Sequence, residues 1–311
     1  MKFRIFDGHC DTPVELWRHG AEFRDNQLAI SLDRAKKLGG YAQFFAFCTA
    51  WLEDGLQHEE QYRRALAYFM AQLKKNEDAA ALCRTAQEAE TAMQAGKTAA
   101  FLSIEGAEAL GCDPGRLEEA YEQGVRMISL VWNIENALTG SCWTGSGLTQ
   151  QGKDFFRRAQ RIGMIVDVSH LSERGFWDMA ELAEKPIVAS HSNSAAMCPH
   201  NRNLTDEQFR AICQLGGTAG LNLVGSFLSP DGTASFEAFR RHLEHFLEIG
   251  GEEHIALGLD LDGTKELPEG FTGVEHYQAL GEYLAGYGYT ETTMQALFCN
   301  SLMKVVKTCI M

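Results

Sequence analysis

Eight strand-length apolar runs, separated by stretches of helical periodicity, constrain the fold of this 311-residue chain more than any other feature. The runs are Phe3–Phe6, Tyr41–Cys48, Ala99–Ile104, Val125–Val131, Met164–Val168, Pro186–Ala189, Thr218–Leu223 and Ile255–Leu259. Several are apolar almost throughout, as strands buried on both faces must be, and such strands belong to parallel sheets. Amphipathic patterns fill the gaps: Leu56 to Leu73, then stripes led by Phe155 and Phe156, by Phe209 and Ile212, and by Phe236, Phe239 and Leu243. Thr205 with Gln208 reads as a capping box and Ser172 as an N-cap. Eight alternations predict a (β/α)8 barrel, one domain spanning residues 1–311. An open doubly wound sheet is the alternative, weakened because no GxGxxG follows the first run.

A barrel of this kind carries its chemistry at the C-terminal ends of its strands. The first run ends in His9-Cys10-Asp11, the third in Glu105-Gly106 and the fourth in Trp132-Asn133. The fifth closes on Asp167-Val168-Ser169-His170, the sixth on Ser190-His191-Ser192 and the eighth on Asp260-Leu261-Asp262-Gly263. In an extended segment His9 and Asp11 share a face while Cys10 points away, so Cys10 is left out of the ligand set. Three histidines and two or three carboxylates exceed what one tetrahedral ion needs. They suit a pair of divalent ions about 3.5–4 Å apart, with a spare aspartate for proton transfer. Of the other histidines, His19, His58, His242, His245 and His276 read as surface residues. His254 lies at the wrong end of a strand, and His200 is left open.

These motifs resemble the renal (membrane) dipeptidase family of metallopeptidases, among the amidohydrolase-like barrels. The resemblance rests on HCD after the first run, IEG, DVSH, SHS followed by NRN, and LGLDLDG, and runs from Phe6 to about Val306. It implies two zinc ions: His9 and Asp11 on one, His170 and His191 on the other, and Glu105 bridging them. It also implies Arg202 as the grip on a dipeptide's carboxylate, which a planar guanidinium suits, and Asp260 as proton shuttle and amine holder. The implied reaction is attack of a metal-bridging hydroxide on a peptide carbonyl. Dipeptides with a C-terminal D-residue are among the implied substrates, and a homodimer is an outcome the resemblance allows. The chain departs from the family at Trp132, where well-studied relatives carry a histidine thought to stabilise the oxyanion. An indole N–H donates one hydrogen bond and carries no charge, which leaves Asn133 or a loop backbone group to compensate.

The rival readings are a metal-dependent hydrolase of another amide, a lactone or a phosphoester, and a non-catalytic metal-binding scaffold. A formal net charge of −14 argues against a general nucleic-acid binder. No run approaches about 18 apolar residues, so no membrane span is expected. Nine dispersed cysteines without CxxC, and no secretory h-region after Met1, point to reduced thiols in a cytoplasmic protein.

Overall fold

The computed structural model describes residues 3–52 and 54–310. Its strands are β1 (Ile5–Cys10), β2 (Tyr41–Cys48), β3 (Ala80–Leu82), β4 (Thr98–Glu105), β5 (Val125–Ser129), β6 (Ile165–Asp167), β7 (Ile187–Ala189), β8 (Thr218–Leu221) and β9 (Ile255–Leu257). All pair in parallel, in the order β2-β1-β9-β8-β7-β6-β5-β4, and pairing of β2 with β4 closes the ring. Helices surround this eight-stranded barrel, so the fold is the (β/α)8 type the alternation predicts. Each apolar run supplies one barrel strand. The short strand β3 lies outside the ring on the lower half of β4, where Ala80 pairs with Thr98 and Leu82 with Ala100. Three residues of Ala-Ala-Leu are too few to show a period, and the sequence reading passes over them.

Alternation along the strands separates two apolar layers. Phe6, Phe44 and Phe101 point inward and touch one another, with ring centroids 5.1–5.5 Å apart. Below them Leu302 and Val306 of the helix Ser301–Cys309 join the same cluster and close the barrel's N-terminal end. Phe45, Phe47, Leu102 and Ile104 point outward, beneath the surrounding helices. Fully burying each such side chain contributes about 1.5–3 kcal/mol.

The alternation breaks once, at a place that matters. Asp7 pairs with Gln43 but Cys10 pairs with Phe45, so β1 carries one residue more than its partner over that interval. Unbroken alternation would turn His9 outward with Ile5 and Asp7; the bulge returns it to the mouth of the barrel, while Cys10 stays buried in the outer layer. The buried Asp7 carboxylate fixes the bulge. Its Oδ1 accepts from the His9 backbone N (2.9 Å) and from Gln43 Nε2 (3.2 Å). Its Oδ2 accepts from the Leu259 backbone N (3.0 Å) and the Tyr277 hydroxyl (2.8 Å). No helix among the described residues is long and apolar enough to cross a membrane.

Candidate metal centre

Strand ends bring His9, Asp11, Glu105, His170, His191 and Asp260 together at the C-terminal mouth. Glu105, the last residue of β4, sits between two groups. Its Oε2 lies 3.5 Å from His9 Nε2, which is itself 3.5 Å from Asp11 Oδ2 and 3.9 Å from Asp260 Oδ1. Its Oε1 lies 2.9 Å from His170 Nε2 and 3.4 Å from His191 Nε2. Apart from Asp260, whose side chain is 13% exposed, these groups are buried.

Hydrogen bonds behind the two distal imidazoles decide their tautomers. The indole Nε1–H of Trp143 donates to Asn133 Oδ1 (3.3 Å), which identifies that atom as the amide oxygen. His170 Nδ1, 2.8 Å from the same oxygen, must then carry a proton and donate it, leaving Nε2 with a free lone pair. The second case runs through a relay. The Asp167 carboxylate only accepts, so the Ser190 hydroxyl donates to its Oδ2 (2.5 Å). Ser190 Oγ is left to accept from His191 Nδ1–H at 2.8 Å, and His191 Nε2 too is a bare lone pair. The two Nε2 atoms face each other at 3.0 Å beside Glu105 Oε1. No proton lies between them, and His9 Nε2, Asp11 Oδ1 and Glu105 Oε1 are buried without a hydrogen-bond partner. A buried cluster of acceptors aimed at one another is costly unless cations sit among them. The residues therefore fit a divalent-metal site of mixed imidazole and carboxylate donors.

The electrostatics separate the three imidazoles. Burial, helped by the Arg202 charge, pushes His170 down to about 4, and burial with the His9 and Arg202 charges holds His191 well below its ordinary value. Both imidazoles are thus neutral, as metal ligands must be, whereas at His9 burial is outweighed by the Glu105 and Asp11 carboxylates, which hold it well above its ordinary value. Burial alone would raise Glu105, but the charge on the neighbouring His9 holds it well below the usual carboxylate range. Burial pushes Asp11 up to about 6 and Asp260 up to about 8.

Backbone geometry at the mouth is strained. His170, Asp260 and Asp262 all have left-handed φ, of 70°, 62° and 66°, conformations costing a non-glycine residue about 1–3 kcal/mol each. Asp262 anchors the Asp260 loop by accepting from Thr12 Oγ1 and from the Ala29 backbone N, each at 2.6 Å. Gly263 is required beside it, since a Cβ there would lie 2.3 Å from both Asp11 Oδ2 and Asp260 Oδ1. The loop after β7 leans into the barrel: the Ser190 carbonyl fills the space in which Cβ atoms at Gly8, Gly220 and Gly258 would lie, at 2.8, 2.1 and 1.8 Å.

The remaining expected residues border the same cleft, of about 790 Å³. Arg202 is buried at its edge, its Nη2 donating to the His191 carbonyl at 3.3 Å and its Nε unpartnered. Trp132 lies on the wall, its ring centroid 6.2 Å from that of His170. Asn133 lines the cleft too, but its side-chain oxygen is occupied by His170 and Trp143. His242, read from the sequence as a surface residue, is fully buried, its Nδ1 accepting from the Ser194 backbone N (3.0 Å) and its Nε2 donating to the Leu228 carbonyl (2.9 Å). His200 takes no place in the cluster; its Nδ1 accepts from the Arg202 backbone N at 3.2 Å. The sequence reading assigned no role to Asp7, Ser190, Asp167 or Trp143. Asp167 and Ser190, both standing at strand ends, are the visible hints.

Fold and site define a class: a (β/α)8 barrel whose mouth holds a buried imidazole–carboxylate cluster fitted to divalent metal. The chain belongs to the membrane dipeptidase family, peptidase family M19, whose sequence model matches residues 1–310. A Klebsiella pneumoniae protein described as uncharacterised, in the pqqA 5′ region, is 37% identical over 73% of this chain and 88% of its own. A metallopeptidase from Rhodobacter sphaeroides, solved with a phosphinate mimic of the dipeptide L-Ala-D-Ala, superposes with a TM-score of 0.90 at 30% identity, covering 99% of this chain and 100% of that one. A dipeptidase of family M19, dipeptidase AC, superposes at 0.91 with 31% identity, covering 100% and 99%. Family and structural neighbours together indicate a metallodipeptidase, a hydrolase.

Proposed function

We propose that the protein hydrolyses dipeptides, including those with a C-terminal D-residue, with two zinc ions at this centre. One observation carries the reading: the two oxygens of Glu105 face separate donor groups, His9 with Asp11 and His170 with His191. His9 and Asp11 would hold one ion, His170 and His191 the other, and Glu105 both. Ions bound there would polarise the peptide carbonyl and bring a water's pKa towards neutrality. Asp260 borders the His9 side and is the carboxylate left over; it takes the proton from the attacking water and returns it to the leaving amine. Arg202 receives the dipeptide's carboxylate through a buried guanidinium whose Nε lacks a partner. Trp132 contributes a wall and one N–H but no charge. The D-residue is supported by the ligand of the Rhodobacter sphaeroides relative.

The test is turnover of a small panel of L-Xaa-L-Xaa and L-Xaa-D-Xaa dipeptides by zinc-loaded protein, beside Asp260→Asn. We expect dipeptide hydrolysis, with kcat in the variant lower by about 10²–10⁴ at unchanged zinc content. No turnover of any dipeptide, or an unimpaired variant, overturns the reading.

A further inference from the structure

The cleft has walls that hydrolysis itself does not require. On the Arg202 side two of these walls, Phe227 and Trp143, are joined into a corner by His200, which lines the adjoining cavity with Arg202. Arg202 Cζ lies 5.6 Å from the centroid of Phe227, over its face. Phe227 packs on His200 at 4.5 Å and 34°, and Trp143 meets His200 edge-on at 5.6 Å and 84°. Trp143 is held firmly: its Nε1–H donates to Asn133 Oδ1 at 3.3 Å and its backbone N to Ser141 Oγ at 3.2 Å. Its side chain nevertheless leaves the residue 53% exposed, on the cleft wall. Glu266, which also lines the cleft, is turned onto the Ser226 backbone N–H at 2.9 Å, so it does not claim the rings. An indole fixed in place, at the edge of a reaction cleft and open to water, is built to be covered by a ligand.

Geometry decides which part of the ligand covers it. A carboxylate gripped by Arg202 fixes the Cα one bond away, and the side chain on that carbon must start within a few ångströms of the guanidinium. Phe227 occupies that neighbourhood, and Trp143 lies beyond it across His200. Resting on the reading of Arg202 as carboxylate grip, we propose that the Trp143–His200–Phe227 corner receives the side chain of the C-terminal residue. The preferred substrates are then dipeptides whose second residue is large and apolar, aromatic above all.

The experiment is steady-state kinetics of the zinc-loaded full chain on Ala-Gly, Ala-Ala, Ala-Leu and Ala-Phe, the last three with the second residue in L and D forms. The expected result is a kcat/KM at least about tenfold higher for Ala-Phe than for Ala-Gly in one of its forms. Trp143→Ala and, independently, Phe227→Ala should bring that ratio towards one, while Trp143→Phe, which keeps a ring but loses the N–H, should preserve most of it. A wild-type ratio near one in an active enzyme overturns this proposal and leaves the dipeptidase reading intact. So does a loss in both alanine variants that is equal for the two substrates. Turnover of none of the panel overturns the dipeptidase reading and this proposal with it. Should Trp143→Ala fail to fold, the Phe227→Ala ratio decides.

Discussion

Asn133 and Ser190 decide what their neighbouring imidazoles can do. One offers a neutral amide oxygen, itself held by an indole; the other offers a hydroxyl oxygen backed by the Asp167 carboxylate. Each leaves Nε2 unprotonated and fixes the ring's direction. Asn133→Ala and Ser190→Ala should each weaken metal binding by about 10–100-fold, read by competition with a chelator of known affinity. Asn133→Asp, which keeps the acceptor, should stay close to wild type. Equal affinity in all four proteins would show that the rings need no such support. At this scale the residues that cluster at the mouth were legible in the sequence and their supports were not. His9, Glu105, His170, His191 and Asp260 mark themselves by standing at strand ends. A partner such as Asn133, 37 positions from His170, has no spacing to betray it. His242 misleads for a related reason, since its burial comes from a loop that packs on it from 48 positions away.

Among the elements, the apolar runs announce the barrel strands because their two buried faces suppress any other pattern. The bulge in β1 is silent by comparison: one extra residue changes which way His9 points without changing the composition of the run. The glycines beside the Ser190 carbonyl are equally quiet, each an ordinary strand glycine until its neighbour is seen. Gly258→Ala sets a Cβ 1.8 Å from that carbonyl oxygen, a contact that backbone must yield to. Displacing the β7 end should cost on the order of 1–3 kcal/mol, as overpacking does, and should lower metal affinity because His191 moves with Ser190. Denaturant unfolding and metal titration of the variant check both effects. An unchanged midpoint with unchanged affinity would mean that the β7 loop can retreat freely.

The stability of the whole molecule should depend on pH through His242. Burial pushes this imidazole from 6.5 down to about 4, and its Nδ1 is committed to accepting a hydrogen bond. Above pH 6.5 neither folded nor unfolded chain binds the proton. Between 6.5 and about 4 the unfolded chain takes it and the folded one refuses, so stability falls as pH falls through that window. The loss from this residue approaches roughly 3 kcal/mol at the lower end. His242→Gln lacks the titrating group. Its cost relative to wild type, measured by urea unfolding of both metal-free proteins, should therefore shrink from pH 7 to pH 4. Parallel pH profiles would remove His242 from the account.

Because β1 pairs with both β2 and β9, the ring joins segments far apart in the chain, and Asp260 follows His9 by about 250 residues. At typical elongation rates that interval lasts roughly 12–50 s. By its end His9, Asp11, Glu105, His170 and His191 have all been made, but β9, which closes the ring against β1, has only just appeared. Metal loading is thus expected of the closed barrel rather than of the nascent chain, and translation interrupted before β9 leaves the proposed ligands on a sheet that lacks the strand joining β8 to β1.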